Sequence, residues 1–178
     1  MTTEELCALA LALGFEHAGG LDPATIELKE EVREMCASGK CAVYNKRWSC
    51  PPGCGTLDEC RELLRDYTHG VLVQSVGQLE DSFDIETMIE TEAAHKERFY
   101  AMRKALNDRG VQSLAAGAGC CTVCRECTYP DAPCRFPEQK MSSMEALGML
   151  VLEVCKANGL SYFYGENTIA YTSCFLLR

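Results

Sequence analysis

A chain of 178 residues, 47% hydrophobic and 24% charged, is long enough to bury a core and short for two domains, which argues against disorder. Its 17 Lys+Arg against 26 Asp+Glu leave a net charge of -9, so no basic field exists to hold a nucleic-acid backbone or an anionic membrane surface. The longest uncharged apolar run, Leu6 to Phe15, is too short to span a bilayer, and the acidic start at Glu4 and Glu5 is unlike a secretory signal, so the expected location is the cytoplasm.

Thr2 and Glu5 are spaced to cap a first helix that ends at Gly14. Phe15 to Leu21 reads as short and extended, and Asp22-Pro23 opens a second helix running toward Cys36. After a cysteine-rich stretch, Thr56 and Glu59 form a capping box that starts a helix with Leu57, Cys60, Leu64 and Tyr67 on one face. Gly70 to Val76 is a β-branched apolar run and reads as a buried strand. Ile85, Met88, Ile89, Phe99, Met102 and Leu106 keep helical spacing in a long helix ending at Gly110. Val111 to Ala118 returns as a strand and delivers the chain into a second cysteine-rich loop. Ser142 and Glu145 have capping-box spacing, which predicts a helix carrying Met144, Leu147, Val151 and Val154 inward and stopping before Gly159. Ser161 to Tyr164 and Thr168 to Leu177, separated by Gly165-Glu166-Asn167, read as a closing hairpin. The expected fold is a single α+β domain over residues 1–178, a small mixed β-sheet covered by helices, with two Cys-rich metal-binding loops.

Thirteen cysteines are unusual for such a chain, and ten fall in two segments, where core cysteines would scatter as Cys7, Cys155 and Cys174 do. Disulfides belong to oxidising compartments and to domains too small to bury a core, so metal binding is the better reading. In the second segment Cys121, Cys124 and Cys127 stand in C-x2-C-x2-C register, and each two-residue spacer can re-aim the next sulfur at an adjacent iron of a [4Fe–4S] cluster. The fourth ligand is open. Cys134 is the nearest candidate, followed by Arg135 and Pro137 where a bacterial ferredoxin has Pro directly after its last Cys. Cys120 is the spare thiol, because its side chain should project away from that of Cys121. Zinc is the alternative, although four-cysteine zinc sites usually join two separated C-x2-C pairs.

The first segment holds Cys36, Cys41, Cys50, Cys54 and Cys60. Cys50-Pro51-Pro52 stiffens the backbone beside a thiol before any metal arrives, which suits a ligand loop. Cys41 and Cys50 lead as ligands there, Cys36 and Cys60 follow, and Cys54 is a substitute. Cys60 also fits a core position. Lys46 and Arg47 could offset thiolate charge and Trp48 could shield a cluster, and all three equally suit a surface turn. His17, His69 and His95 lie outside both segments and are not expected to be ligands. No Rossmann turn, Walker lysine motif, zinc-protease helix or nucleophile elbow is present.

Cys41…Tyr44…Trp48-Ser49-Cys50-Pro51-Pro52, then Gly119-x-Cys121-x-x-Cys124-x-x-Cys127, then Cys134-Arg135-x-Pro137 and Ser143-Met144-Glu145-Ala146-x-Gly148 together resemble a prokaryotic family known only as predicted metal-binding proteins of unknown function. The resemblance runs from about Cys36 to the C-terminus. Asn45 stands where Gly is expected after the Tyr, a small departure, since Asn also tolerates left-handed backbone. It implies metal binding and no particular reaction. The functional expectation is an iron–sulfur protein with one or two [4Fe–4S] clusters that passes single electrons to a redox partner protein, its acidic surface helping a basic partner dock. A zinc-binding scaffold and an enzyme with an open iron site are the alternatives.

Overall fold

The computed structural model describes residues 1–178 and has an α+β architecture. Five helices and five strands follow in the order α1 (Thr3–Ala12), β1 (His17–Leu21), α2 (Glu30–Ala37), α3 (Leu57–Leu64), β2 (His69–Gln78), α4 (Ile85–Asp108), β3 (Ser113–Gly117), β4 (Ser142–Ser143), α5 (Val151–Ala157) and β5 (Thr168–Leu177). They form one sheet in the order β1-β2-β5-β3-β4, antiparallel except for the parallel β3–β4 pair. No helix is long and apolar enough to cross a membrane.

Strand alternation divides the core between the two faces of the sheet. Val71 and Val73 of β2, with Phe175 and Leu177 of β5, meet Leu6 and Ala10 of α1 and Phe99, Met102 and Leu106 of α4. Leu72, Cys174 and Leu176 point the other way, toward Leu57 and Cys60 of α3 and Val151, Val154 and Cys155 of α5. Register places Leu72 opposite Cys174 and Val71 opposite Phe175, so both central strands are covered on both sides. That is why they read as nearly continuous apolar runs. Cys155 and Cys174 are core thiols, and burial pushes them up to about 11 and about 12.

Three local expectations are corrected. Asp22 accepts from the Ala24 amide and caps only a single 3-10 turn, Pro23–Thr25, and α2 begins at Glu30. Leu28 stays extended between them, bridged to Met149 and buried, while the Lys29 amide donates to the Gly148 carbonyl. Ser142 does not cap a helix, because Ser142–Ser143 pairs with Ala116–Gly117 as β4. Ser143 Oγ accepts from the Ala146 amide to start one 3-10 turn, and the helix begins later, at Val151. Ser161 to Tyr164 forms no strand. Its groups satisfy the buried Gln74 amide instead, the Ser161 carbonyl accepting at 2.9 Å and the Tyr164 hydroxyl donating to Oε1, while β5 pairs with β2 and β3.

Both cysteine loops start and end on regular structure. The first runs from the end of α2 to Thr56, whose hydroxyl accepts from the Glu59 amide and whose own amide donates to the Glu59 carboxylate. The second leaves β3 at Gly117 and returns at β4, where the Met144 amide donates to the Gly117 carbonyl at 3.1 Å.

Candidate metal centre

The first loop folds back on itself. The Tyr44 amide donates to the Cys41 carbonyl, and Asn45, in left-handed backbone at φ 55°, donates its amide to the Pro51 carbonyl at 2.8 Å. Those bonds return the Cys41 turn to the Cys50-Pro51 corner. Cys50 is buried, and burial pushes its thiol up to about 11; the Ser49 hydroxyl opposes the shift, while nearby Cys120, Cys41 and Cys54 add to it. Cys36, on the last turn of α2, is also raised by burial and by Cys41 beside it.

Cys54 and Cys60 already have partners. The Cys54 thiol donates to the Ala146 carbonyl at 3.3 Å. Cys60 is buried in the α3 core cluster and its sulfur accepts from Arg33 Nη2 at 3.2 Å. Burial raises both thiols, against the Arg33 guanidinium. Arg33 Nη1 donates to the Gly55 carbonyl, whereas its Nε is buried without a partner.

In the second loop Cys121, Cys124, Cys127 and Cys134 line one small cavity, walled also by Trp48 and Phe136. Cys134 is brought round because the Ala132 amide donates to the Thr128 carbonyl, Thr128 Oγ1 to the Pro133 carbonyl, and Arg135 to the Glu126 carbonyl. All four cysteines expected from the second segment therefore share a wall.

The two loops are bound to each other. Arg47 Nη1 donates to the Cys121 carbonyl at 2.9 Å, Trp48 Nε1 to the Ala132 carbonyl at 2.9 Å, and the Tyr129 hydroxyl to Asn45 Oδ1 at 3.0 Å. Trp48 and Tyr129 meet edge to face with centroids 4.9 Å apart. Gly53 permits this approach, since a Cβ there would lie 2.7 Å from the Arg47 carbonyl oxygen and 2.8 Å from the Tyr129 ring. Arg47 and Trp48 thus belong to the site wall, while Lys46 donates to the Ala42 carbonyl within its own turn.

Two groups that sequence reasoning missed flank the thiols. The Tyr100 hydroxyl, on α4, is buried with no hydrogen-bond partner; burial raises it, and nearby Cys121 and Cys120 add to the shift against Arg103. Arg33 Nε is the second orphan, beside Cys54 and Cys60. Nothing local in the sequence ties Tyr100 to Cys120 and Cys121 or Arg33 to Cys54 and Cys60, since these contacts arrive through helix packing. The three histidines are outside the site, His17 stacked on Tyr164, His69 bonded to the Met1 carbonyl, and His95 buried between Ser75 and Ser173.

The donor chemistry suits a thiolate-bound centre: four cysteines line one cavity, and two buried donors without partners, the Tyr100 hydroxyl and Arg33 Nε, stand beside the cysteine segments. No group of three or more His, Cys, Asp or Glu side chains is drawn together closely enough to hold a metal ion. No curated protein and no solved structure matches the chain. The family model for predicted metal-binding proteins, DUF2284, matches residues 20–177, and the chain belongs to that family.

Proposed function

We propose that this protein binds a [4Fe–4S] cluster through Cys121, Cys124, Cys127 and Cys134 and passes single electrons to a partner protein in a reducing compartment such as the cytoplasm. The observation that carries the reading is the placement of these four thiols around one cavity. The C-x2-C-x2-C run of Cys121, Cys124 and Cys127 suits a polynuclear centre better than zinc, whose four-cysteine sites usually join two separated C-x2-C pairs.

Bound there, the cluster would supply one-electron redox chemistry. The chain's own part is to hold the thiolates, exclude water and set the local charge. Trp48 and Phe136 close the cavity with apolar surface, and Arg47 and Lys140 on its wall offset the charge of four thiolates. Cys134 offers a fourth thiolate, which favours electron transfer over a reading in which one iron stays open for substrate.

Anaerobically purified protein should be brown, with iron and acid-labile sulfide in equal amounts and a low-temperature paramagnetic resonance signal after dithionite reduction. Colourless protein carrying stoichiometric zinc under the same handling would overturn the reading and leave the zinc scaffold in its place.

A further inference from the structure

We infer that the start of α4 is the surface on which the electron-accepting partner docks, and that this partner is a protein whose own contact face is apolar and ringed by Lys and Arg. The inference rests on the reading of the four-cysteine cavity as an electron-transfer centre and adds the place where the electron leaves. Ile85 and Ile89 share the apolar helical spacing of Phe99, Met102 and Leu106, yet they are 63% and 61% exposed while those three are fully buried. Phe83, just before the helix, is 84% exposed. Single apolar side chains in water are ordinary, whereas three large ones together with a polar rim mark a contact surface.

The charge of that rim selects the occupant. Glu80, Asp81, Asp84, Glu86 and Glu90 accompany the three apolar residues along the chain, none of them belongs to an ion pair, and no Lys or Arg occurs between Arg65 and Lys96. Asp81 and Asp84 hold the turn into the helix by accepting from the Phe83 and Thr87 amides, and Glu86 and Glu90 are exposed. The Leu79 amide donates to the Asn167 carbonyl at 2.7 Å, which brings the turn carrying Glu166 to the same end of the molecule. A second copy of the chain would set these carboxylates against one another, and an anionic membrane would repel them. The complementary occupant is a basic protein.

The same side of α4 reaches the second cysteine loop. Ile85, Ile89, Glu92 and Lys96 follow one another at helical spacing along one stripe. Lys96 donates to the Glu92 carboxylate at 2.5 Å, and a Cβ on Gly119 would stand 3.1 Å from that carboxylate, so Glu92 lies against backbone that leads directly into Cys120 and Cys121. A partner seated on Ile85 and Ile89 is therefore about one helical turn from the loop that carries the proposed centre.

The probe is cytochrome c, a small basic protein whose haem accepts one electron. The full chain, loaded anaerobically with iron and sulfide, reduced and freed of reductant, should pass one electron from the reduced cluster to ferric haem. That leaves oxidised cluster and ferrous haem, with no bond broken and no proton moved. Binding of oxidised cytochrome c is measured separately by calorimetry. Ile85→Ser/Ile89→Ser and Glu86→Gln/Glu90→Gln should each weaken binding and slow haem reduction about tenfold at low ionic strength, with unchanged iron content and far-ultraviolet spectrum. Glu30→Gln/Glu34→Gln, the same loss of charge on the exposed face of α2, should change either quantity by less than about twofold. Added salt should weaken wild-type binding and erase the difference made by Glu86→Gln/Glu90→Gln. Wild-type affinity and rate in both α4 variants would overturn the inference, and so would an equal loss in the α2 variant, which would make net charge alone responsible. A wild-type dimer in sedimentation that Ile85→Ser/Ile89→Ser converts to monomer would also overturn it, since a second copy would then cover the patch. Iron-free wild-type protein would overturn the electron-transfer reading itself, while the binding measurements, which need no iron, still decide the surface.

Discussion

His95 sits on α4 with its two ring nitrogens against the hydroxyls of Ser75 at 3.0 Å and Ser173 at 2.6 Å, packed by Phe15 and Tyr171. Burial pushes its pKa down to about 3, and the nearby charges of Arg98 and Lys96 push the same way. The folded protein therefore keeps it neutral where the unfolded chain would take up a proton below about 6.5. Stability from this residue is complete above that value and is lost as pH falls toward 3, with a limiting slope of about 1.4 kcal/mol per pH unit. Urea unfolding at pH 7 and pH 5 should show a loss about 2 kcal/mol larger in wild-type protein than in His95→Gln; equal losses would contradict the assignment. Tyr100 behaves oppositely. Its buried hydroxyl has no hydrogen-bond partner, so Tyr100→Phe should leave the stability of chelator-treated protein unchanged or raise it by up to about 1–2 kcal/mol in denaturant titrations. The cysteine clusters were legible at this scale because their spacing is a local pattern. Tyr100 and Arg33 were not, since no spacing in the chain announces a contact made by one helix packing over a distant loop.

At the scale of elements, capping succeeded where nothing competed with it. Thr2 with Glu5 and Thr56 with Glu59 both close complete capping boxes. Ser142 with Glu145 has the same spacing and fails, because the free edge of β3 claims Ser142 and Ser143 for pairing. Asp22-Pro23 yields one turn for a related reason, the burial of Leu28 in extended backbone. The expected terminal hairpin missed a long-range pairing: β5 lies between β2 and β3, and no turn chemistry in Gly165-Glu166-Asn167 could reveal that. Thr56→Ala should cost about 1 kcal/mol in urea unfolding, since it removes the cap that begins α3 and ends the first cysteine loop.

Across the whole molecule, the sheet and its two apolar layers are built, apart from Met141, from residues that lie outside the cysteine loops. Phe99 is fully buried against Phe175, with centroids 5.0 Å apart, and Phe99→Ala should destabilise the protein by about 3–5 kcal/mol in chemical denaturation. Metal removal should act elsewhere. Trp48 is the chain's one tryptophan and walls the four-cysteine cavity, so its fluorescence should change on loading or chelation while the far-ultraviolet spectrum stays nearly constant. A collapse of the far-ultraviolet spectrum on chelation would mean that the scaffold itself depends on metal. Fold class, the two cysteine groups and the resemblance to a family of predicted metal-binding proteins could be read from residue order alone. The joining of the loops by Arg47, Trp48 and Tyr129 could not, because each bond spans 74 to 84 positions in the chain.

The fastening of the second loop at both ends bears on the order of events during biogenesis. Residues 118–141 leave and re-enter beside one another, held by the pairing of Gly117 with Ser143 and by the Met144 amide on the Gly117 carbonyl. The newly made polypeptide can thus complete its framework first and present this cysteine loop already closed at both ends, so that under the proposed function metal delivery becomes a late step performed on a finished receptacle.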